Sequence, residues 1–174
     1  YIAEFYNTLT GSFYIFIALP FLNTKINELA LCSIVLGIGT ICLHSTQRFY
    51  GQILDEGAML TLCYLILNKI NNIKYSKRWL PFILLTYIQN YERFIVFFCL
   101  FTIKIILIIY ESKNIKSSRS KMKRNTFLYS MGVGTILWFL DQLFCNYVKM
   151  YYLHAYWHFF TSLGIASGFT MLYN

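Results

Sequence analysis

The chain has 174 residues, 57% of them hydrophobic, 20% aromatic and only 13% charged, with a formal net charge of +8. Soluble proteins average about 25% charged residues, so this composition excludes an ordinary soluble domain. The positive charge clusters in two short connections, 69–78 and 113–124, where a nucleic acid would have to reach membrane loops; topology signals or anionic-lipid contacts fit better.

A membrane crossing takes about 20 apolar residues. Such blocks run over 1–22, 28–47, 51–68, 94–110, 125–145 and 152–172. Segment 79–90 is shorter and opens Trp79-Leu80-Pro81, so it reads as a seventh span, a re-entrant piece or the start of one long helix with 94–110. Charge bias decides between these. With seven spans, eleven basic residues fall on one side (Lys25, Lys69, Lys74, Lys77, Arg78 and six within 113–124) against Arg48, Arg93 and Lys149 on the other. With six spans the division is nearly even. The positive-inside rule therefore predicts an all-α membrane protein, a single bundle of seven transmembrane helices over 1–174. Its N-terminus is lumenal or extracellular and its C-terminus cytosolic. The chain begins at Tyr1, and a further upstream segment is expected.

Polar residues inside these spans are costly and usually functional. The first span opens with Glu4; the second carries Thr40 and His44; the third carries Asp55 and Glu56; the sixth carries Asp141; the seventh carries His154 and His158. These are the only histidines in the chain. His154 and His158 are four residues apart and share one helix face. In the seven-span orientation, His44, Asp55 and the histidine pair converge at one depth in the lumenal half of the bilayer. Three neutral imidazoles around an open fourth position make the ligand set of a catalytic zinc.

The remaining polar groups have competing readings. Asp55 is placed to act as a general base, or to pair with Arg48 across the short turn. Glu56, about 100° away around the helix, reads as a structural hydrogen-bonding group. Asp141 can orient a ligating histidine or bond a neighbouring helix. Thr40 lies on the face of His44 and can serve the site or bond back to its own helix. The five cysteines include no CxxC motif; four pack as small hydrophobes, and Cys145, at the end of a span, is a candidate disulfide partner.

Four blocks in this order resemble the alkaline ceramidase family, within the superfamily of seven-helix membrane hydrolases that includes adiponectin receptors. They are Tyr1-Ile2-Ala3-Glu4-Phe5-Tyr6-Asn7-Thr8, Gly37-Ile38-Gly39-Thr40 running to His44, Gln52-Ile53-Leu54-Asp55-Glu56-Gly57-Ala58-Met59, and His154-Ala155-Tyr156-Trp157-His158. Trp138, Asp141 and Cys145 form a weaker fifth match. The chain departs from the family pattern at Thr40, where serine is usual, and at Gly57-Ala58, where the usual segment contains proline.

The resemblance implies zinc on His44, His154 and His158, with Asp55 acting on the water that the metal activates and the Thr40 hydroxyl assisting. It implies cleavage of the ceramide amide to sphingosine and fatty acid. It also implies a calcium contact at Glu4 and a disulfide between Cys145 and an upstream cysteine. Ceramide and membrane lipids are the expected partners, in an endoplasmic-reticulum or Golgi membrane, with no nucleic acid. The alternatives are a lipid ester hydrolase of the kind that remodels GPI anchors, and a receptor-like or lipid-binding member without activity.

Overall fold

The computed structural model of the protein describes residues 2–71, 79–113 and 118–173, with backbone alone at 71, 118, 119, 145 and 149. Residues 72–78 and 114–117 of the two basic connections, and the expected disulfide of Cys145, lie outside what is described. Seven α-helices form among the described residues: α1 Phe5–Phe16, α2 Asn27–Thr46, α3 Phe49–Asn71, α4 Trp79–Gln89, α5 Phe94–Ser112, α6 Ser118–Val148 and α7 Leu153–Tyr173. Three stretches are long and apolar enough to cross a membrane, Asn27–Thr46, Phe94–Ser112 and Ser120–Phe144. This makes the protein an all-helical membrane protein. The helices α3 and α7, at 23 and 21 residues, have the length, but polar side chains dilute their hydropathy.

One segment differs from the sequence expectation, and a second, 79–90, is the separate helix that the seven-span reading expects. The first block, 1–22, is not one helix: α1 ends at Phe16, and a 3₁₀ turn over Leu19–Phe21 follows, with Pro20 unable to supply the backbone N–H of a continuing α-helix. Segment 79–90 is a separate helix rather than the start of a long one. Its end turns back on itself through Asn90 N–H to Tyr87 O at 2.9 Å and Arg93 N–H to Asn90 O at 2.8 Å. Eleven residues rise only about 16 Å, roughly half the hydrocarbon thickness.

Around the bundle, α1 packs on α2 and α7, α2 on α3, α3 on α5, and α6 on α7, with α4 set against α3. Aromatic rings close the gap between α5 and α6, Phe94 on Trp138 at 5.4 Å and Phe98 on Phe139 at 5.5 Å. The approach of α2 to α3 depends on missing side chains. A Cβ at Gly39 would fall 2.5 Å from Asp55 N, and one at Gly51 would fall 2.6 Å from Leu43 N. This close contact brings the Thr40–His44 face against Asp55.

Candidate metal centre

Five helices build the site. On α2, Leu36, Thr40 and His44 recur at a spacing of four and are all buried, so they form the inward stripe that ends in an imidazole. The helix then stops at Gln47, whose left-handed φ of 53° turns the chain into α3. Left-handed Tyr152, with φ 51°, launches α7 two residues before His154. These are the only non-glycine residues with positive φ among the described residues, and each adjoins a histidine helix. Such backbone is held only where its surroundings demand it. The chain ahead of α1 is tied to the end of α2 by Ala3 N–H to Ser45 O at 3.2 Å and Glu4 N–H to His44 O at 3.0 Å. That bond delivers the Glu4 side chain to the imidazole.

Each histidine has a polar side chain beside its Nδ1. His44 Nδ1 donates to Glu4 Oε2 at 2.6 Å, and Asn7 Nδ2 donates to the same oxygen at 2.8 Å. His158 Nδ1 lies 2.9 Å from Thr10 Oγ1, whose own hydroxyl reaches Tyr6 O at 2.9 Å, so the imidazole donates and the threonine accepts. His154 Nδ1 stands 3.6 Å from Asp141 Oδ2, an ion-pair distance rather than a hydrogen bond. A proton on Nδ1 of His44 and of His158 leaves their Nε2 lone pairs free.

The three rings crowd together, with centroids 4.8 to 5.0 Å apart, and one ligand atom of each lies within 4.8 Å of the others. His44 Nε2 is buried without any partner. An orphaned buried acceptor costs about 1–3 kcal/mol, and the ligand atoms of the other two imidazoles lie within 4.8 Å of it. A divalent cation held among them relieves that cost. The donor set fits it, and the groups beside Nδ1 would form the outer shell that orients such ligands.

Asp55 is 8% exposed and accepts a hydrogen bond from Thr40 Oγ1 at 2.5 Å. Its alternative partner Arg48 is exposed and makes no ion pair with it. Thr40 Oγ1 also lies 2.9 Å from Leu36 O, so both readings of this residue hold at once. Its methyl carbon faces α1, close to Gly11. Glu56 turns away from Asp55 and binds Gln52 Nε2 through Oε1 at 3.2 Å, as expected of a structural group, but its Oε2 is buried without a partner.

The three histidines, Thr40, Asp55 and Glu56 line one cavity of about 180 Å³, walled on its far side by Phe94, Phe97, Trp138 and Trp157. A second cavity of about 30 Å³ lies deeper, among Ile66, Ile108, Phe127, Met131 and Ile165. Tyr14, Met59, Phe101 and Trp157 border both. Tyr14 and Thr161 hydroxyls bond to each other at 2.6 Å at this junction.

Glu4, Thr40, His44, Asp55, Asp141, His154 and His158 are therefore all at one end of the bundle. The sequence reading missed Thr10 as the partner of His158. Its signal was the polar stripe Asn7, Thr10 and Tyr14, spaced three and four along α1.

The geometry agrees with what this chain is similar to. The ceramidase family model matches residues 1–173. An alkaline ceramidase of Arabidopsis thaliana is 28% identical, over 93% of this chain and 73% of the relative. The putative alkaline ceramidase dcd3A of Dictyostelium discoideum is 26% identical, over 94% and 77%. Alkaline ceramidase 1 of Mus musculus is 23% identical, over 96% and 72%. With a family match that runs from one end of the chain to the other, and with the histidines gathered at one cavity, the chain belongs to the ceramidase family.

Proposed function

We propose that the protein is a zinc-dependent membrane hydrolase that cleaves the amide of ceramide to sphingosine and a free fatty acid. Family membership and the relatives' names support ceramide amide hydrolysis over the ester-hydrolase and receptor-like alternatives. The observation that carries the metal reading is the orphaned Nε2 of His44, beside the imidazoles of His154 and His158. Zinc held there supplies Lewis acidity, which polarises an amide carbonyl and activates water near neutral pH.

Asp55 is the base in this reading. It removes a proton from the attacking water and returns it to the leaving amine. Thr40 keeps both states of Asp55 satisfied. A hydroxyl has one proton, and Thr40 has two acceptors, Asp55 Oδ1 and Leu36 O. It donates to the ionised carboxylate, and donates to Leu36 O while accepting from the protonated one. Asp55 thus gains and loses its proton without leaving a buried group unpaired.

Glu4 and Asp141 steer His44 and His154, and Thr10 steers His158. Calcium at Glu4, if bound, acts on the carboxylate that holds His44, so its effect on activity runs through that imidazole. The deeper cavity is apolar, but at about 30 Å³ it has room for only the tip of a lipid chain. Seven spans, of which α4 is a short one, with the site lumenal and the C-terminus cytosolic in an endoplasmic-reticulum or Golgi membrane, complete the reading.

The test is to purify the protein, quantify zinc, and follow fatty acid released from ceramide and from phospholipid. Close to one zinc per chain and release from ceramide alone, abolished in His154→Ala, is the expected result. Bound zinc without hydrolysis of ceramide would contradict it.

A further inference from the structure

Among the described residues, two buried side-chain polar atoms lack any hydrogen-bond partner, His44 Nε2 and Glu56 Oε2. Both residues line the same 180 Å³ cavity. A metal ion accounts for the first, as argued above, but not for the second. Glu56 directly follows Asp55, and consecutive helical side chains diverge by about 100°, so the two carboxyls cannot aim at one ion.

The Glu56 side chain is also held in place. Gln52 Nε2 donates to its Oε1 at 3.2 Å and to Tyr91 O at 3.2 Å. The hydroxyl of Tyr87, a fully buried residue, stands beside the same carboxyl and lies 3.3 Å from Gln52 O, so its one proton has two acceptors. One oxygen is therefore anchored to Gln52, and the other is a buried atom without a partner in a side chain that lines the cavity. Leaving a buried polar atom unmatched is destabilising unless something that binds there matches it.

We propose that Glu56 is a substrate-binding residue whose Oε2 pairs with a hydroxyl of the substrate head group beside the scissile amide, selecting N-acyl amino alcohols over simple fatty amides. The proposal rests on the ceramide-hydrolase reading and deepens it. A hydroxyl suits this position because it both donates and accepts, matching a carboxyl in either protonation state. An amide substrate without that hydroxyl would bury Glu56 Oε2 with no partner. Sites built to bond a substrate hydroxyl discriminate strongly against analogues that lack it.

The experiment measures kcat/KM of the full-length protein for ceramide and for an N-alkyl fatty amide of the same chain lengths with no hydroxyl. Wild type, Glu56→Met and Glu56→Gln are compared, with zinc content as the check on folding. The proposal expects wild type to favour ceramide by about a hundredfold or more. It expects Glu56→Met to lose about tenfold or more on ceramide while changing less than about threefold on the amide. Glu56→Gln preserves size and the Gln52 bond, and is expected to lower the preference for ceramide if Glu56→Met fails to load zinc. An equal fall on both substrates in either zinc-loaded variant would assign Glu56 a structural role and overturn the proposal. Equal use of both substrates by wild type would overturn it while leaving amide hydrolysis intact. Hydrolysis of neither would overturn the reaction itself.

Discussion

The two cavities share Tyr14, Met59, Phe101 and Trp157, yet opposite rules build them. In the deeper one the walls are almost entirely apolar, and the hydroxyls of Tyr14 and Thr161 consume each other. Nothing there asks for a partner. In the other, His44 and His158 are hydrogen-bonded through Nδ1, Asp55 is bonded to Thr40, and two buried atoms are left without partners. The same helices thus carry satisfied apolar packing at one depth and deliberate polar deficit at another. Deficit inside a membrane protein, rather than polarity as such, marks the site.

If that contrast is right, substitutions should rank by how directly they touch the deficit. Asp55→Asn keeps the size and the Thr40 contact but removes the base, and is expected to lower kcat by about 10²- to 10⁴-fold with zinc content unchanged. Loss of zinc in that variant would make Asp55 a structural residue instead. Asp141→Asn acts one step further out. It should weaken metal binding by about 10- to 100-fold, read by titration with a chelator, and restore much of its activity when zinc is supplied in excess.

The apolar cavity gives the next smaller effect. Phe127→Leu enlarges its far end without adding polarity, and should shift the ratio of kcat/KM for longer over shorter acyl chains by about two- to tenfold, leaving zinc affinity alone. An altered zinc affinity would break the separation of the two regions. The smallest change is expected at Thr40. Its methyl faces Gly11 rather than Asp55, so Thr40→Ser should alter activity by less than about threefold, whereas Thr40→Val, which removes the hydroxyl, should cost about tenfold or more.

Much of this arrangement was legible in the residues. His154 and His158 at helical spacing, His44 in a second apolar block, and Asp55 at a matching depth were enough to place the cluster, because helix geometry fixes faces and depth together. The partners were harder. Glu4 meets His44 only because the chain ahead of α1 bonds to the end of α2, and Thr10 meets His158 across two helices, neither of which periodicity reveals. The break between α4 and α5 was legible in the charge bias, whereas the early end of α1 was masked by uniform hydrophobicity. Lys104 shows the same limit. It sits inside α5 with its ammonium 5.5 Å above the Tyr64 ring, a cation–π contact that no charge count anticipates.

The central claim is that His44, His154 and His158 hold one zinc ion through nitrogen. X-ray absorption at the zinc edge on the purified, detergent-solubilised protein tests it most directly. The account predicts about three imidazole nitrogens at about 2.0–2.1 Å, falling to two in His154→Ala. A sulfur shell at about 2.3 Å, or a protein without zinc, would contradict it.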